Sequence, residues 1–238
     1  MKAIIDLHTH TINSGHAYST LQENIVAAKN VGLKYLGISD HAPNMPGGAH
    51  KFFFDNLQAV PSMIEGIRVF KGVEINILDG NGSLDLPEST IKKLDYVIAS
   101  LHGPCYSHDH TLDENMSAYI SACNNPYVRI IGHPDDGRYP IDYDLLAKTA
   151  KETNTILEVN CSSLKPNSFR LNGVENTRKM IEACKIYNTL IIVNSDAHHS
   201  SAVGKLDNGL SLLKEMNFPK DLIINYKEEL IIKLFDKQ

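Results

Sequence analysis

His8 and His10 stand two residues apart at the end of an apolar run, in Asp6-Leu7-His8-Thr9-His10, and Asp196 and His198 repeat that spacing in Asn194-Ser195-Asp196-Ala197-His198. In extended chain, residues i and i+2 project to the same side, so each pair can aim two ligand atoms at one point. His41 follows Ser39-Asp40, His102 follows Ser100-Leu101, His133 sits in Gly132-His133-Pro134, and Glu74 interrupts Gly72-Val73-Glu74-Ile75-Asn76. His16 lies in the loop after the first pair. Imidazole and carboxylate together suit Zn, Mn or Fe as divalent ions; the four cysteines stand outside the set, which disfavours sulfur-rich centres. Glu74 within an apolar strand and Asp196 beside one would each cost several kcal/mol if left unpaired, a penalty that a cation removes. Seven imidazoles and two carboxylates exceed what one tetrahedral ion takes; they match three ions if one carboxylate bridges.

Seven short apolar runs must carry these groups, at 3–7, 35–39, 68–75, 96–101, 128–132, 156–159 and 190–194. They read as buried parallel strands. Helices are expected at 20–31, 55–65, 113–123, 143–153, 173–187, 206–215 and 226–237, with Ser19-Thr20 and Asp113 as N-caps and Gly32 as a C-cap. The Gly/Pro-rich stretches 43–48 and 134–140 read as long loops. Repeated βα order predicts an α/β fold, a closed or nearly closed barrel in one domain over 1–238, with an open doubly wound sheet as the alternative. In such a barrel the C-terminal strand ends, where the candidate ligands stand, converge on one face.

The 238 residues fall within the length of a single barrel, about 200–250. Cys105, Cys123, Cys161 and Cys184 lack C-x-x-C spacing and read as free thiols. No run approaches the ~20 apolar residues of a membrane span, and an acid at position 6 argues against a secretory signal, so a cytoplasmic protein is expected. A net charge of −5 without a basic tract disfavours nucleic acid as a partner. Oligomeric state leaves no mark in the sequence.

The ordered motifs His8-Thr9-His10-Thr11, His16-Ala17-Tyr18-Ser19-Thr20, Ser39-Asp40-His41, Gly72-Val73-Glu74, Leu101-His102, Gly132-His133-Pro134 and Ser195-Asp196-Ala197-His198 resemble the PHP family of polymerase and histidinol phosphatase domains, across essentially the whole chain. Length and the His16 stretch look most like its small stand-alone phosphatases with a trinuclear zinc site. The resemblance implies a distorted (β/α)7 barrel. It also implies a ligand allocation: His8, His10, Glu74 and Asp196 on one ion; Glu74, His102 and His133 on a second, with Glu74 bridging; His16, His41 and His198 on the third. The loops at 49–51 and 103–107 match no motif and are expected to set substrate choice.

Three divalent ions against two carboxylates would focus anions on the rim, which makes phosphate esters the natural substrates and a small-molecule phosphomonoester the first choice. Water activated between the Glu74-bridged ions would attack phosphorus in line, with Glu74 and Asp196 bridging or orienting the metals. Arg138, in Gly137-Arg138-Tyr139, is the candidate for a phosphate oxygen, its alternative being an exposed surface arginine. Asp6, Asp40 and Asp135 stand next to ligands and either orient them or cap turns. His50, His108, His110 and His199 are expected as solvated loop residues. Histidinol phosphatase and a PHP-type nuclease are the rival enzymes, and a non-catalytic metal-binding module is the rival of another class. An amidohydrolase would place a bridging lysine on the fourth strand, where Ala99-Ser100-Leu101-His102 has none.

Overall fold

The computed structural model describes residues 2–106 and 111–235. In chain order its strands and helices are β1 (Ile5–Asp6), α1 (Leu21–Val31), β2 (Tyr35–Ile38), α2 (Lys51–Asp55), β3 (Met63–Ile64), β4 (Ile67–Asn76), α3 (Glu88–Ile91), β5 (Tyr96–Ser100), α4 (Leu112–Asn124), β6 (Ile130–Ile131), α5 (Tyr143–Thr153), β7 (Ile156–Asn160), α6 (Gly173–Tyr187), β8 (Ile191–Asn194), α7 (Asp207–Glu215) and α8 (Glu228–Phe235). The seven expected strands pair in parallel in the order β1-β2-β4-β5-β6-β7-β8, and the sheet curls into a nearly closed barrel. This is the (β/α)7 barrel that the family resemblance implies, and not the open doubly wound sheet that the alternating runs also allow.

The seam between β1 and β8 is closed in two unequal ways. At the upper end the backbones meet directly, with the His10 amide donating to the Ala197 carbonyl at 2.9 Å. Lower down, the buried Asn225 side chain stands in for a strand: its amide donates to the carbonyls of Ile5 and Val193 at 3.0 and 2.7 Å, and its oxygen accepts from the Val193 amide. These bonds satisfy backbone groups that an open edge would leave bare.

Inward-facing residues change character along each strand. On β4 the series runs Phe70, Gly72, Glu74, Asn76; on β5 it runs Tyr96, Ile98, Ser100; on β7, Ile156, Glu158, Asn160. The lower half is an apolar cluster of Ile5, Leu7, Phe70, Tyr96, Ile98, Ile130, Ile156 and Ile192, closed from below by Ile224, Ile231 and Phe235. Tyr96 fills the middle, donating its hydroxyl to the Leu7 carbonyl at 2.6 Å. It requires Gly72: a Cβ there would lie 2.3 Å from the ring. A second, larger core lies between the outer strand faces and the helices.

Local signals place most elements. Thr20 caps α1 and forms a capping box with Glu23, and Gly32 ends the helix in the left-handed region. Thr111, rather than Asp113, caps α4; Asp113 lies in its first turn. The helix expected at 55–65 is corrected: α2 stops at Asp55, a 3-10 turn spans Leu57–Ala59, and β3 pairs antiparallel with the start of β4. Glu65 and Gly66, with φ of 49° and 84°, form the two-residue turn of a hairpin, where a helix would need negative φ. The short α3 at 88–91 has no counterpart in the expected elements. Among the described residues no helix is long and apolar enough to cross a membrane.

Candidate metal centre

Glu74 projects from β4 into the upper barrel, where it is buried and its two oxygens face different imidazoles. Its Oε1 lies 2.8 Å from His133 Nε2 and 3.1 Å from His102 Nε2. Its Oε2 lies 2.8 Å from His41 Nδ1, 3.3 Å from His8 Nε2 and 3.6 Å from His10 Nε2. Asp196 Oδ1 approaches His8 and His10 Nε2 from the other side, at 3.6 and 3.5 Å. His198 stacks on His10 and on His16, with ring centroids 4.1 and 4.6 Å apart, and His16 stacks on His41 at 4.9 Å. All nine residues singled out as ligands therefore gather at the C-terminal mouth. His8, His10 and Glu74 present ligand atoms within 4.8 Å of one another, as do His10, His41 and His198, and His41, Glu74 and His102.

Partners behind the imidazoles set their tautomers. His8 Nδ1 donates to Glu158 Oε1 at 2.8 Å. The Asn76 amide is turned by Asp85, to which its Nδ2 donates, so its Oδ1 accepts from His102 Nδ1 at 2.7 Å. Ser14 Oγ donates to Asp40 Oδ1 at 2.7 Å and therefore accepts from His10 Nδ1 at 3.1 Å. His198 Nδ1 faces the Asp196 carbonyl. In each case the opposite nitrogen, Nε2, is left with its lone pair toward the mouth, the arrangement of a metal-ligating histidine.

That leaves a cluster of buried polar atoms without hydrogen-bond partners: Nε2 of His8, His10, His41 and His198, Nδ1 of His133, and Oε2 of Glu74. His41 and Glu74 approach to 2.8 Å without hydrogen-bond alignment. Buried lone pairs are rarely orphaned, and so many converging on one another fit divalent cations. Burial, reinforced by the neighbouring His198 and His41, holds His10 well below the ordinary imidazole range; the same causes bring His16 down to about 4. Both are therefore neutral near pH 7, as ligands must be. Burial alone would also lower His8, but Glu158, Glu74 and Asp196 outweigh it and hold it well above the ordinary range; a cation held by Glu74 and Asp196 would take the place of that proton at Nε2. Burial opposes ionisation of Glu74 and Asp196, but adjacent imidazoles, and Arg170 at Asp196, keep both well below the usual carboxylate range.

Backbone strain marks two of the same positions. His133 and Asp196 have φ of 29° and 53°, a region non-glycine residues seldom occupy. At His133 the conformation turns the backbone amide onto Glu158 Oε2 at 2.8 Å.

A cavity of about 400 Å³ opens above the cluster, lined by His16, His41, Glu74, His102, Asp196 and His198 at its floor. Arg138 is not among its lining residues: its guanidinium forks onto Asp136 and packs over Tyr139 and Phe169. The cavity arginine is Arg170, buried, which donates to Asp196 Oδ2 at 2.9 Å and to Asn160 Oδ1 and Ser163 Oγ at 3.2 Å. Neither Arg170 nor Glu158 was singled out in the sequence. Asp6 accepts from Ser195 and Gly204 rather than from an imidazole, Asp40 acts through Ser14, and burial pushes Asp135 up to about 6. His50 caps α2, and exposed His199 caps a 3-10 turn while lining the cavity. His108 and His110 lie outside the described residues.

Comparison with known proteins agrees with this architecture. The PHP domain profile matches residues 6–162. A protein of Clostridium acetobutylicum named probable phosphatase is 43% identical over 233 residues, covering 98% of this chain and 94% of the relative. A Thermoanaerobacter protein of the same name is 45% identical over 225 residues, 94% of this chain and 91% of its own. Among solved structures, the histidinol phosphate phosphatase of Lactococcus lactis, complexed with zinc, L-histidinol and phosphate, superposes with a TM-score of 0.66 at 16% identity, covering 92% of this chain and 95% of that one. The chain belongs to the PHP domain family.

Proposed function

We propose that this chain is a metal-dependent phosphatase that hydrolyses small phosphomonoesters at a site for three divalent ions, zinc foremost, with manganese or iron as alternatives. The observation that carries the reading is the set of partnerless buried imidazole and carboxylate atoms converging under an open cavity. His8, His10, Glu74 and Asp196 would hold one ion, Glu74, His102 and His133 a second, and His16, His41 and His198 the third. Support for Glu74 as the shared ligand comes from its two oxygens facing different histidines. The names of the Clostridium and Thermoanaerobacter relatives and the zinc of the Lactococcus structure point the same way.

Bound divalent ions supply Lewis-acid chemistry, withdrawing charge from phosphoryl oxygens and making a coordinated water more acidic. The chain's own residues supply position. Glu158, Asn76 and Ser14 fix the tautomers of His8, His102 and His10, so that ligand lone pairs are aimed before substrate arrives. Arg170, held by three acceptors, keeps a permanent positive charge at the cavity wall, where a phosphoryl oxygen would sit. Arg138 would contribute to phosphate binding only by leaving Asp136. We also take residues 1–238 as one domain, because β8 and its ligands complete the sheet begun by β1.

The test is hydrolysis of generic phosphomonoesters, histidinol phosphate and an oligonucleotide, before and after chelation and after return of zinc, manganese or iron. Loss and recovery of monoester hydrolysis is expected. Preference for histidinol phosphate or the oligonucleotide would move the assignment to the corresponding rival enzyme, and metal binding without turnover of any ester would make the chain a non-catalytic metal module.

A further inference from the structure

Above the ligand cluster the cavity wall changes character. Tyr18, Met45, Phe169 and Ala202 line it, and Tyr18 and Phe169 are 73% and 67% exposed, unusual for large aromatic side chains. Each wall sits on a fixed support. The Tyr18 amide donates to the His198 carbonyl at 2.8 Å, which ties the β1–α1 loop to the loop after β8. Gly15 packs against Gly47, its amide donating to the Gly47 carbonyl at 2.7 Å; a Cβ on Gly15 would meet the Gly47 backbone at 2.8 Å. That contact locks the Tyr18 loop against the loop carrying Met45. Phe169 packs against two anchored guanidiniums, those of Arg138 and Arg170, whose central carbons are 5.0 and 5.1 Å from its ring centroid. Rigid, exposed aromatic walls in a concave site bind a complementary apolar surface at low entropic cost.

The charges along the cavity are arranged unevenly. Glu74, Asp196 and Arg170 are buried in its floor, and Lys165 is the charged side chain of the outer wall among the described residues. Among the described residues, an organic group carrying an ammonium would meet Lys165 on that wall and no carboxylate.

From this we infer that Tyr18, Met45 and Phe169 form the leaving-group subsite, which selects phosphomonoesters whose organic part carries an uncharged aromatic ring. The inference rests on the phosphatase reading above and names its substrate class. Polyol phosphates would leave both rings in water, and amino-alcohol phosphates would add repulsion from Lys165.

The experiment compares 2-phenylethyl phosphate, glycerol 1-phosphate and ethanolamine phosphate, all primary alkyl esters, so that differences report binding of the organic part. The zinc-loaded protein is expected to favour the phenylethyl ester over glycerol phosphate by at least about ten-fold in kcat/KM, with ethanolamine phosphate last. Tyr18→Ala and Phe169→Ala should each lower the phenylethyl-to-glycerol ratio by about ten-fold, and Phe169→Leu, which keeps apolar bulk without the ring, by less. Calorimetric binding of 2-phenylethylphosphonate against methylphosphonate reads the same subsite without turnover, and the two alanine variants should erase the preference. A wild-type ratio near one, or a ratio that neither variant changes, overturns the inference while leaving the phosphatase intact. Absence of hydrolysis of every ester overturns both.

Discussion

Phe70 and Glu74 lie on the same inward face of β4, four residues apart, and their surroundings are opposites. Phe70 packs with Tyr35 and Phe235 in an apolar floor whose two tyrosine hydroxyls are hydrogen-bonded, that of Tyr96 to the Leu7 carbonyl and that of Tyr35 to Glu228. Glu74 stands in a mouth where six residues carry buried polar atoms without a hydrogen-bond partner. The floor follows the rules of a packed core, in which lost volume is lost stability. The mouth is incomplete as a core and reads as a binding site, because the atoms left without partners there face one another. The same strands thus separate holding from doing, with the boundary near Gly72 and Ile98.

The comparison can be broken from either side. The largest effect is expected at the mouth: Glu74→Ala should lower phosphatase activity by about a thousand-fold or more and reduce bound metal, measured by steady-state kinetics and elemental analysis. At the floor, Phe235→Ala removes a buried ring that lies 6.0 Å from both Phe70 and Tyr96. It should cost about 3–5 kcal/mol in urea denaturation while leaving metal stoichiometry intact in the folded protein. If Phe235→Ala emptied the metal site in the folded chain, the two ends would not be separable. Glu158→Gln keeps shape but weakens the acceptor for His8, and about 10–100-fold weaker metal binding is expected in a competition with a chelating dye. The smallest effect belongs to neither end: Thr20→Ala removes the cap of α1 and should cost about 1 kcal/mol of stability, with kcat and metal content unchanged.

Where short-range rules decide the structure, the sequence is readable. The His8/His10 pair, the apolar runs and the α1 caps each depend on a few neighbouring residues, whereas Asp196, at φ 53°, leaves the extended chain that the spacing of Asp196 and His198 assumes; the alternation of the runs allows a barrel and an open sheet alike. Arg170 was not readable because it leaves an irregular loop after β7, and its position depends on Asp196, Asn160 and Ser163. Glu158 was readable in principle: it interrupts the apolar run Ile156-Leu157-Glu158-Val159 as Glu74 interrupts its own. Arg138 looked like a phosphate ligand by chain position, but Asp136, two residues away, is the partner it meets. The 55–65 stretch carries Pro61 at its centre, which breaks a helix, and Glu65-Gly66 takes positive φ and turns the chain into a hairpin. Asn225, closing the seam from a segment far along the chain, leaves no local signal at all.

Elemental analysis of untagged protein, exchanged into metal-free buffer, reads out whether metal ions complete the polar end of the barrel. About three equivalents of divalent ion per chain are expected, falling in Glu74→Ala and unchanged in Thr20→Ala. One equivalent or none in the folded wild-type protein, supplied with zinc, manganese and iron in turn, would contradict that expectation.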